Sequence, residues 1–233
     1  MIATNSSCKG QSQRPGQVFD KLPADVANDL LSVAHAVSYP SNVLLFSELE
    51  QPQKVFVVLE GEVKLSMNSR DGRRLILHIA RKGEIVGLAS ALSGKPQEMT
   101  AETLYPAKLA VLARRDFLAF LLSHPEAYQT LFEELSHQFT QACGQLRNLG
   151  LSSTAPEKLA RLLLDWSENA QTNESGSRFH FSFTHQEIGE FIGATRETVT
   201  RTLSEFKTRH LIAFHGSTLT IPNRIALESY AHC

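Results

Sequence analysis

Apolar residues first recur along the chain as short runs separated by turns. Six such runs lie between residues 43 and 113: VLLF, KVFVVLE, EVKLSM, RLILHIA, EIVGLAS and AKLAVLA. Four glycines return at intervals of eleven residues, the spacing of one strand plus one turn: Gly61, Gly72, Gly83 and Gly94. We therefore predict an antiparallel β-roll or jelly-roll over residues 18–122. A leading helix should open at Leu22-Pro23 and end at Tyr39-Pro40.

A second pattern begins at residue 128, with apolar residues alternately four and three positions apart. Its members are Tyr128, Phe132, Leu135, Phe139, Ala142, Leu146 and Leu149. Such a heptad seam, sustained over three repeats, predicts a helix over residues 123–150 that pairs with a copy of itself. The alternative is that the same stripe packs against the β-roll of its own chain.

The stretch THQEIGEFIGATRETVTRTLSEF, residues 184–206, has the pattern of two short helices joined by a tight turn. Thr184 and Glu187 have the spacing of a capping box, and Gly193 can adopt the positive φ that ends a helix. Thr195 can cap the second helix. These features predict a helix-turn-helix.

The second of these helices has two contrasting faces. The predicted core face holds Val199, Leu203 and Phe206, whereas the face that points largely the other way holds Arg196, Glu197, Thr200 and Arg201. Two β-favouring runs around Gly216 predict a hairpin, and alternation in residues 179–183 predicts another strand. Together they indicate a winged helix over residues 151–233, with a polar surface loop at residues 169–177.

Composition narrows the function only slightly. The 233 residues carry a formal net charge of −1, and residues 150–233 hold eight Lys and Arg against nine Asp and Glu. This balance counts against a non-specific, counterion-driven nucleic-acid binder but is compatible with a protein that uses a few well-placed arginines. Three cysteines without metal or disulfide spacing suit a reducing cytosol, and we expect Cys143 to be buried. Residues 1–17 are polar and predict a disordered arm, with neither signal peptide nor membrane span.

The segment QEIGEFIGATRETVTRTLSEFKTRHLI, residues 186–212, resembles the DNA-binding signature of the CRP/FNR family of bacterial transcription regulators. A looser resemblance covers most of the chain. It implies an α+β protein with a cyclic-nucleotide-binding-like β-roll as sensor, a dimerisation helix and a winged helix-turn-helix. By the same resemblance, Arg196 and Arg201 contact guanines of a TGTGA-like half-site and Glu197 contacts the opposite cytosine. The positions implied to contact phosphates are Thr184, His185, Gln186, Thr195 and Thr198.

The resemblance weakens in the effector pocket. The positions that it implies there are Gly87, Leu88, Ala89, Met99, Thr100, Cys143 and Gly144. Family members that bind cyclic AMP have a Glu, an Arg-Ser pair and a Thr-Ser pair where this chain has Leu88, Met99-Thr100 and Cys143-Gly144. A phosphate left without cationic donors would carry a heavy desolvation cost. We therefore disfavour cyclic AMP and expect either a smaller or more apolar small-molecule effector, whose identity the sequence does not give, or none; no cofactor is certain.

The sequence thus predicts a cytoplasmic, homodimeric transcription regulator that binds a palindromic site on double-stranded DNA, with RNA polymerase as a further candidate partner. An alternative is a ligand-binding signalling module whose winged helix contacts protein rather than DNA. An enzyme built on the β-roll is disfavoured because His78 lacks His and carboxylate neighbours at metal-ligand spacing, so no metal site is expected.

Overall fold

The computed structural model describes residues 21–151, 154–167, 171–173 and 176–231, and the predicted arm at residues 1–17 lies outside this range. The helices are α1 Ala24–Ser32, α2 Leu88–Ser93, α3 Arg114–Ser123, α4 Ala127–Leu151, α5 Ala155–Ser167, α6 His185–Ile192, α7 Arg196–Thr208 and α8 Arg224–Ala231. The strands are β1 His35–Tyr39, β2 Leu44–Phe46, β3 Lys54–Glu60, β4 Val63–Asn68, β5 Arg74–Ala80, β6 Ile85–Val86, β7 Thr100–Thr103, β8 Ala107–Ala113, β9 Gln171–Asn173, β10 Gly176–His180, β11 Ala213–His215 and β12 Thr218–Ile221.

Two antiparallel sheets, ordered β1-β8-β3-β6 and β2-β7-β4-β5, form the N-terminal β-roll. Side chains alternate along β3, so Phe56 and Val58 point into the core between the sheets. Val55 and Val57 point the other way, into a second core that α1, α3 and the start of α4 cover. The first sheet is therefore buried on both faces, which explains why KVFVVLE is an unbroken apolar run.

The glycine spacing correctly marks turns. All four of the equally spaced glycines have positive φ, between 71° and 88°. At Gly61, between β3 and β4, a Cβ atom would lie 2.5 Å from the backbone oxygen of Pro106, so only glycine fits. Gly94 differs from the others because it ends α2 rather than joining two strands.

Several predicted elements are wrong. The leading helix ends at Ser32, and Val37 lies in β1, which pairs with β8 as the edge of the first sheet. The run EIVGLAS forms only the two-residue β6, after which α2 begins at Leu88. Part of the predicted polar loop at residues 169–177 forms β9, which pairs with β10. The sequence pattern also predicts neither β7 nor α8. Strand β7 has the sequence TAET, in which apolar and polar residues do not alternate.

The C-terminal part is a winged helix whose sheet has the order β11-β12-β10-β9. Its core cluster is continuous with the outer face of the second β-roll sheet, because Ile76, Ile79 and Leu104 belong to the same cluster as α5–α8. Helix α5 buries one apolar face, through Leu159, Leu162 and Leu163. Helix α4 runs between the two parts, as the heptad pattern indicates.

Candidate functional sites

The helix-turn-helix begins with the predicted capping box. Thr184 Oγ1 accepts a hydrogen bond from the backbone N–H of Glu187 at 3.2 Å, and Glu187 Oε2 accepts one from the backbone N–H of Thr184 at 2.9 Å. These bonds satisfy two of the backbone donors that a helix N-terminus leaves unpaired. The apolar side of α6 is buried through Ile188, Phe191 and Ile192, so this helix is fixed on the core.

The turn between α6 and α7 needs two glycines. Gly193 has φ of +64° at the end of α6, as predicted. Gly189 was not singled out from the sequence, yet a Cβ atom there would lie 2.5 Å from the backbone oxygen of Ala194. Thr195 then caps α7 by accepting from the backbone N–H of Thr198 at 3.3 Å. The two helices are thereby held in a fixed mutual orientation.

Helix α7 has the predicted division into a buried and an exposed face. Val199, Leu203 and Phe206 are at most 2% exposed. The three proposed base-contacting side chains, Arg196, Glu197 and Arg201, are all exposed, together with Thr200 and Ser204. A short helix anchored by one apolar side therefore presents two guanidinium groups and a carboxylate on its outer side.

The carboxylate of Glu197 is held in its ionised form. Its pKa lies below the ordinary value because its own backbone N–H donates to it and because the hydroxyl of Thr195 donates as well. An ionised carboxylate only accepts hydrogen bonds. Glu197 is therefore suited to the amino group of cytosine rather than to a base acceptor.

The proposed phosphate-contacting residues cluster at the N-termini of α6 and α7. Thr184, Gln186 and Thr195 are exposed, and His185 and Thr198 are half-buried. His185 Nδ1 lies 2.7 Å from Thr200 Oγ1, a contact between the two helices that the sequence did not predict. Helix N-termini carry a partial positive charge and unpaired N–H groups, so this arrangement favours an anion such as a phosphate.

The heptad seam of α4 faces mostly outward. Its largest exposed members are Phe139 (72%), Phe132 (68%) and Leu146 (65%). Tyr128 and Ala142 are also exposed. Leu135 instead packs on the core beneath α1 and α3, and Leu149 lies against Gly193 at the helix-turn-helix. The alternative of packing on the same chain therefore holds for these two positions and not for the rest.

The proposed effector pocket is a small cavity of about 40 Å³ beside α2. It is lined by Phe46, Leu65, Ile85, Gly87, Leu88, Ala89, Ser90, Gln97, Glu98, Met99 and Gln138. None of these lining residues, all from the described part of the chain, is a Lys or an Arg. This volume is far below the roughly 300–1,000 Å³ of sites for drug-sized ligands.

Three of the proposed pocket positions lie elsewhere. Thr100 is buried and its Oγ1 accepts from the backbone N–H of Glu48. Cys143 and Gly144 are exposed on α4, so the expectation of a buried Cys143 is wrong. The physical reason is that this side of α4 adjoins the seam, whereas Gln138 lies on the side that faces the β-roll. Its Nε2 donates to the backbone oxygen of Ile85 at 3.2 Å.

Titratable side chains line the contact between α4 and the β-roll. His78 Nε2 lies 2.5 Å from Glu84 Oε2. Burial raises the pKa of Glu134, and the amide of Gln138 partly opposes this by donating to its carboxylate. Burial lowers the pKa of His137. Within the described residues, no group of three His, Cys, Asp or Glu side chains could hold a metal ion.

A buried ionic contact joins the β-roll to the helix-turn-helix, and the sequence pattern does not predict it. Lys64 Nζ lies 3.9 Å from Glu102 Oε1 on β7 and 3.8 Å from Glu187 Oε1 on α6. Gln145 of α4 also joins the two parts, donating to the backbone oxygens of Ile76 and Phe191 at 3.2 and 2.7 Å. The carboxylate that caps α6 thus also contacts a cation of the β-roll. No short-range pattern could have revealed this pairing.

Comparison with known proteins gives two matches to family models. Residues 36–124 match the cyclic nucleotide-binding domain, and residues 157–230 match the Crp-like helix-turn-helix domain. None of the helices in the described part of the chain is long and apolar enough to cross a membrane.

Similar proteins match this chain over most of its length. The CRP-like cAMP-activated global transcriptional regulator of Mycobacterium tuberculosis is 26% identical over 205 residues, covering 88% of this chain and 91% of that protein. The cAMP-activated global transcriptional regulator CRP of Pasteurella multocida is 25% identical over 192 residues, covering 82% and 91%. The solved structure of FixK2 from Bradyrhizobium japonicum has a TM-score of 0.74 at 25% identity, covering 85% of this chain and 97% of that one. A structure of a CooA mutant from Carboxydothermus hydrogenoformans, covering 87% and 90%, shares the fold with a TM-score of 0.75 at 17% identity.

Proposed function

Since the chain belongs to the CRP/FNR family of transcription regulators, we propose that it binds a palindromic, TGTGA-like DNA site as a homodimer. The β-roll at residues 18–122 would sense an effector, residues 123–150 would form the dimer, and residues 151–233 would bind DNA. The observation that carries this proposal is the outward face of α7, where two arginines and one ionised glutamate are exposed above a fully buried opposite face. Like its relatives, which are regulators of transcription, the chain is not an enzyme.

The exposed face of α7 fits the major groove in both size and chemistry. An α-helix can enter this groove, and the guanidinium fork of arginine matches the O6 and N7 acceptors of guanine. We assign Arg196 and Arg201 to guanines and Glu197 to the amino group of the opposite cytosine. The residues at the N-termini of α6 and α7 would hold the phosphates and so fix the register without specifying bases. The cyclic AMP receptor protein, which this segment resembles, has an arginine at the position of His185. His185 therefore lacks the permanent charge that the arginine would supply.

The exposed apolar residues of α4 support the proposed dimer. Phe132, Phe139 and Leu146 would be covered if α4 packed against its copy, since residues three and four positions apart line one helical face. Two-fold symmetry would place the two α7 helices in successive major grooves, about 34 Å apart. A palindromic operator is the expected consequence, and doubled contacts offset the near-neutral charge of each chain.

The effector is proposed to be a molecule other than cyclic AMP, although the two relatives described above are cAMP-activated. The cavity beside α2 is small and lacks a cationic lining residue, and Leu88 stands where a ribose acceptor would be needed. A cyclic phosphate would there lose its hydration without gaining a charged partner. We also propose that the protein lies in the bacterial cytoplasm and contacts RNA polymerase there. An in vitro transcription assay with purified polymerase tests this contact.

The test of base recognition compares Arg201→Ala with the unchanged protein on two duplexes, one with a TGTGA palindrome and one scrambled, at a fixed salt concentration. We expect Arg201→Ala to prefer the palindrome over the scrambled duplex less strongly, by about 1–3 kcal/mol, which is roughly 5- to 150-fold in relative affinity. Arg73→Ala removes an equally charged, exposed side chain from the β4–β5 turn and serves as the control. If Arg201→Ala weakens both duplexes equally, Arg201 contacts phosphate and the assignment fails.

A further inference from the structure

A cleft of about 240 Å³ lies where the β-roll meets the winged helix, and none of its lining residues belongs to α7 or to the cavity beside α2. We call it the junction cleft. It is lined by Glu62, Arg81, Trp166, Phe179, His180, Ser182 and Phe183. The first two residues adjoin β4 and β5 of the β-roll, and the others come from α5, β10 and the segment that leads into α6.

One wall of the junction cleft is aromatic. Trp166 stacks on Phe183 with ring centroids 4.5 Å apart and an angle of 25° between the rings. It also meets Phe191 edge to face, with centroids 5.1 Å apart. Trp166, Phe179 and Phe183 are all half-buried, so each retains ring surface that water can reach. Aromatic rings gain from further stacked or edge contacts, so this wall favours a planar aromatic occupant.

The β-roll contributes polar lining residues to the junction cleft, including a charged donor. Arg81 uses its Nε to donate to Glu62 Oε1 at 3.1 Å. No residue in the described part of the chain accepts a hydrogen bond from the two terminal amino groups of Arg81. A guanidinium with these two groups accessible can hold a carboxylate. Ser182, by contrast, is already engaged, because its Oγ lies 2.5 Å from the hydroxyl of Tyr105 and 3.0 Å from His180 Nε2.

We propose that the junction cleft binds a small aromatic carboxylate, with the carboxylate on the terminal amino groups of Arg81 and the ring against Trp166, Phe179 and Phe183. The cleft is smaller than the roughly 300–1,000 Å³ of sites for drug-sized ligands, so the ligand has one or two rings. Because the walls belong to the β-roll and to the winged helix, a bound ligand stabilises their observed contact. It thereby couples to the position of α6, whose N-cap Thr184 follows Phe183 directly.

Trp166 is the single tryptophan of the chain, so tryptophan fluorescence reports directly on the junction cleft. The full-length protein is titrated with phenylacetate and, separately, with cyclohexylacetate and benzylamine, which lack the aromatic ring and the carboxylate respectively. We expect phenylacetate to change the emission saturably, with a Kd of about 1 mM or tighter. Cyclohexylacetate and benzylamine should bind at least about tenfold more weakly, since each lacks one of the two contacts.

The matched variants are Arg81→Gln and Arg73→Gln, which remove the same charge at exposed sites inside and outside the junction cleft. Arg81→Gln should weaken phenylacetate binding about tenfold or more, whereas Arg73→Gln should leave it unchanged. No saturable response to phenylacetate overturns the proposal, as does equal binding of either analogue or an unaltered Kd in Arg81→Gln. No DNA enters the measurement, so its outcome is independent of whether α7 binds a palindrome.

Discussion

Lys64 offers the sharpest test of how the helix-turn-helix is held on the β-roll. Its side chain is 5% exposed and its ammonium lies between Glu102 and Glu187, whose side chains are 17% and 18% exposed. Lys64→Met keeps most of the apolar stem and removes only the charge. The two carboxylates would then lose a shared cation in a site that is largely closed to water.

The size of the effect follows from the partners that remain. Removing one member of a fully buried ion pair costs about 3–5 kcal/mol, and an exposed pair is worth about 0–1 kcal/mol. Glu102 keeps Arg74 at 3.4 Å, and Glu187 keeps its bonds to the backbone N–H and hydroxyl of Thr184. We therefore expect Lys64→Met to lower the free energy of unfolding by about 1–3 kcal/mol, between these limits.

The assay is urea unfolding at one fixed protomer concentration, because dimer formation would otherwise shift the apparent stability. Lys108→Met, on the exposed side of β8, is the control and should stay within about 0.5 kcal/mol of the unchanged protein. Glu187→Gln retains a capping residue but removes its charge. A double-mutant cycle between positions 64 and 187 should show a coupling of about 0.5 kcal/mol or more. Additive effects, or a loss no larger than that of Lys108→Met, would refute an ionic contact between the two parts.

Three further perturbations test other parts of the structure. Phe139→Glu should convert the dimer to monomers in sedimentation velocity, whereas Leu122→Glu, equally exposed but off the seam, should not; a dimeric Phe139→Glu variant would contradict the α4 interface. Because burial raises the pKa of Glu134 above its ordinary 4.5, the folded protein holds that proton more tightly, and stability falls as pH rises from 4.5 through the raised pKa. Glu134→Gln should remove this decline and be more stable at neutral pH in urea unfolding; parallel pH profiles would sink the argument. Thr195→Ala should cost about 1 kcal/mol through the lost cap of α7, and an unchanged urea midpoint would show that the cap contributes nothing.

The features that the sequence determined by itself are those whose partners lie within a few residues. The capping box of Thr184 and Glu187 joins groups three positions apart, and the positive φ of Gly193 is a property of one residue. The buried and exposed faces of α7 follow from the helical repeat, because Val199 and Leu203 fall on one side whatever lies opposite. These local features place the proposed DNA-contacting side chains on one outward surface.

Tertiary structure decided the elements whose partners are distant in sequence. Residues near Val37 fit a helical repeat, yet they form β1 because β8 offers a free edge for backbone pairing. The small and polar TAET becomes β7 because β2 and β4 pair with it on either side. Apolar spacing predicts neither choice, since pairing energy depends on which strand is adjacent.

Side-chain environments show the same dependence on distant partners. Cys143 is exposed because it lies on a side of α4 that does not face the β-roll. The sequence of α4 alone does not show which side of the helix this is. Lys64 is buried because the winged helix closes over β4 and brings Glu187 to it. The junction cleft likewise exists only where Arg81 and Trp166 are brought together from separate parts of the chain. Local bonds thus establish the helix-turn-helix, whereas the way it docks, and the charges and cavity created there, arise from packing between segments far apart in sequence.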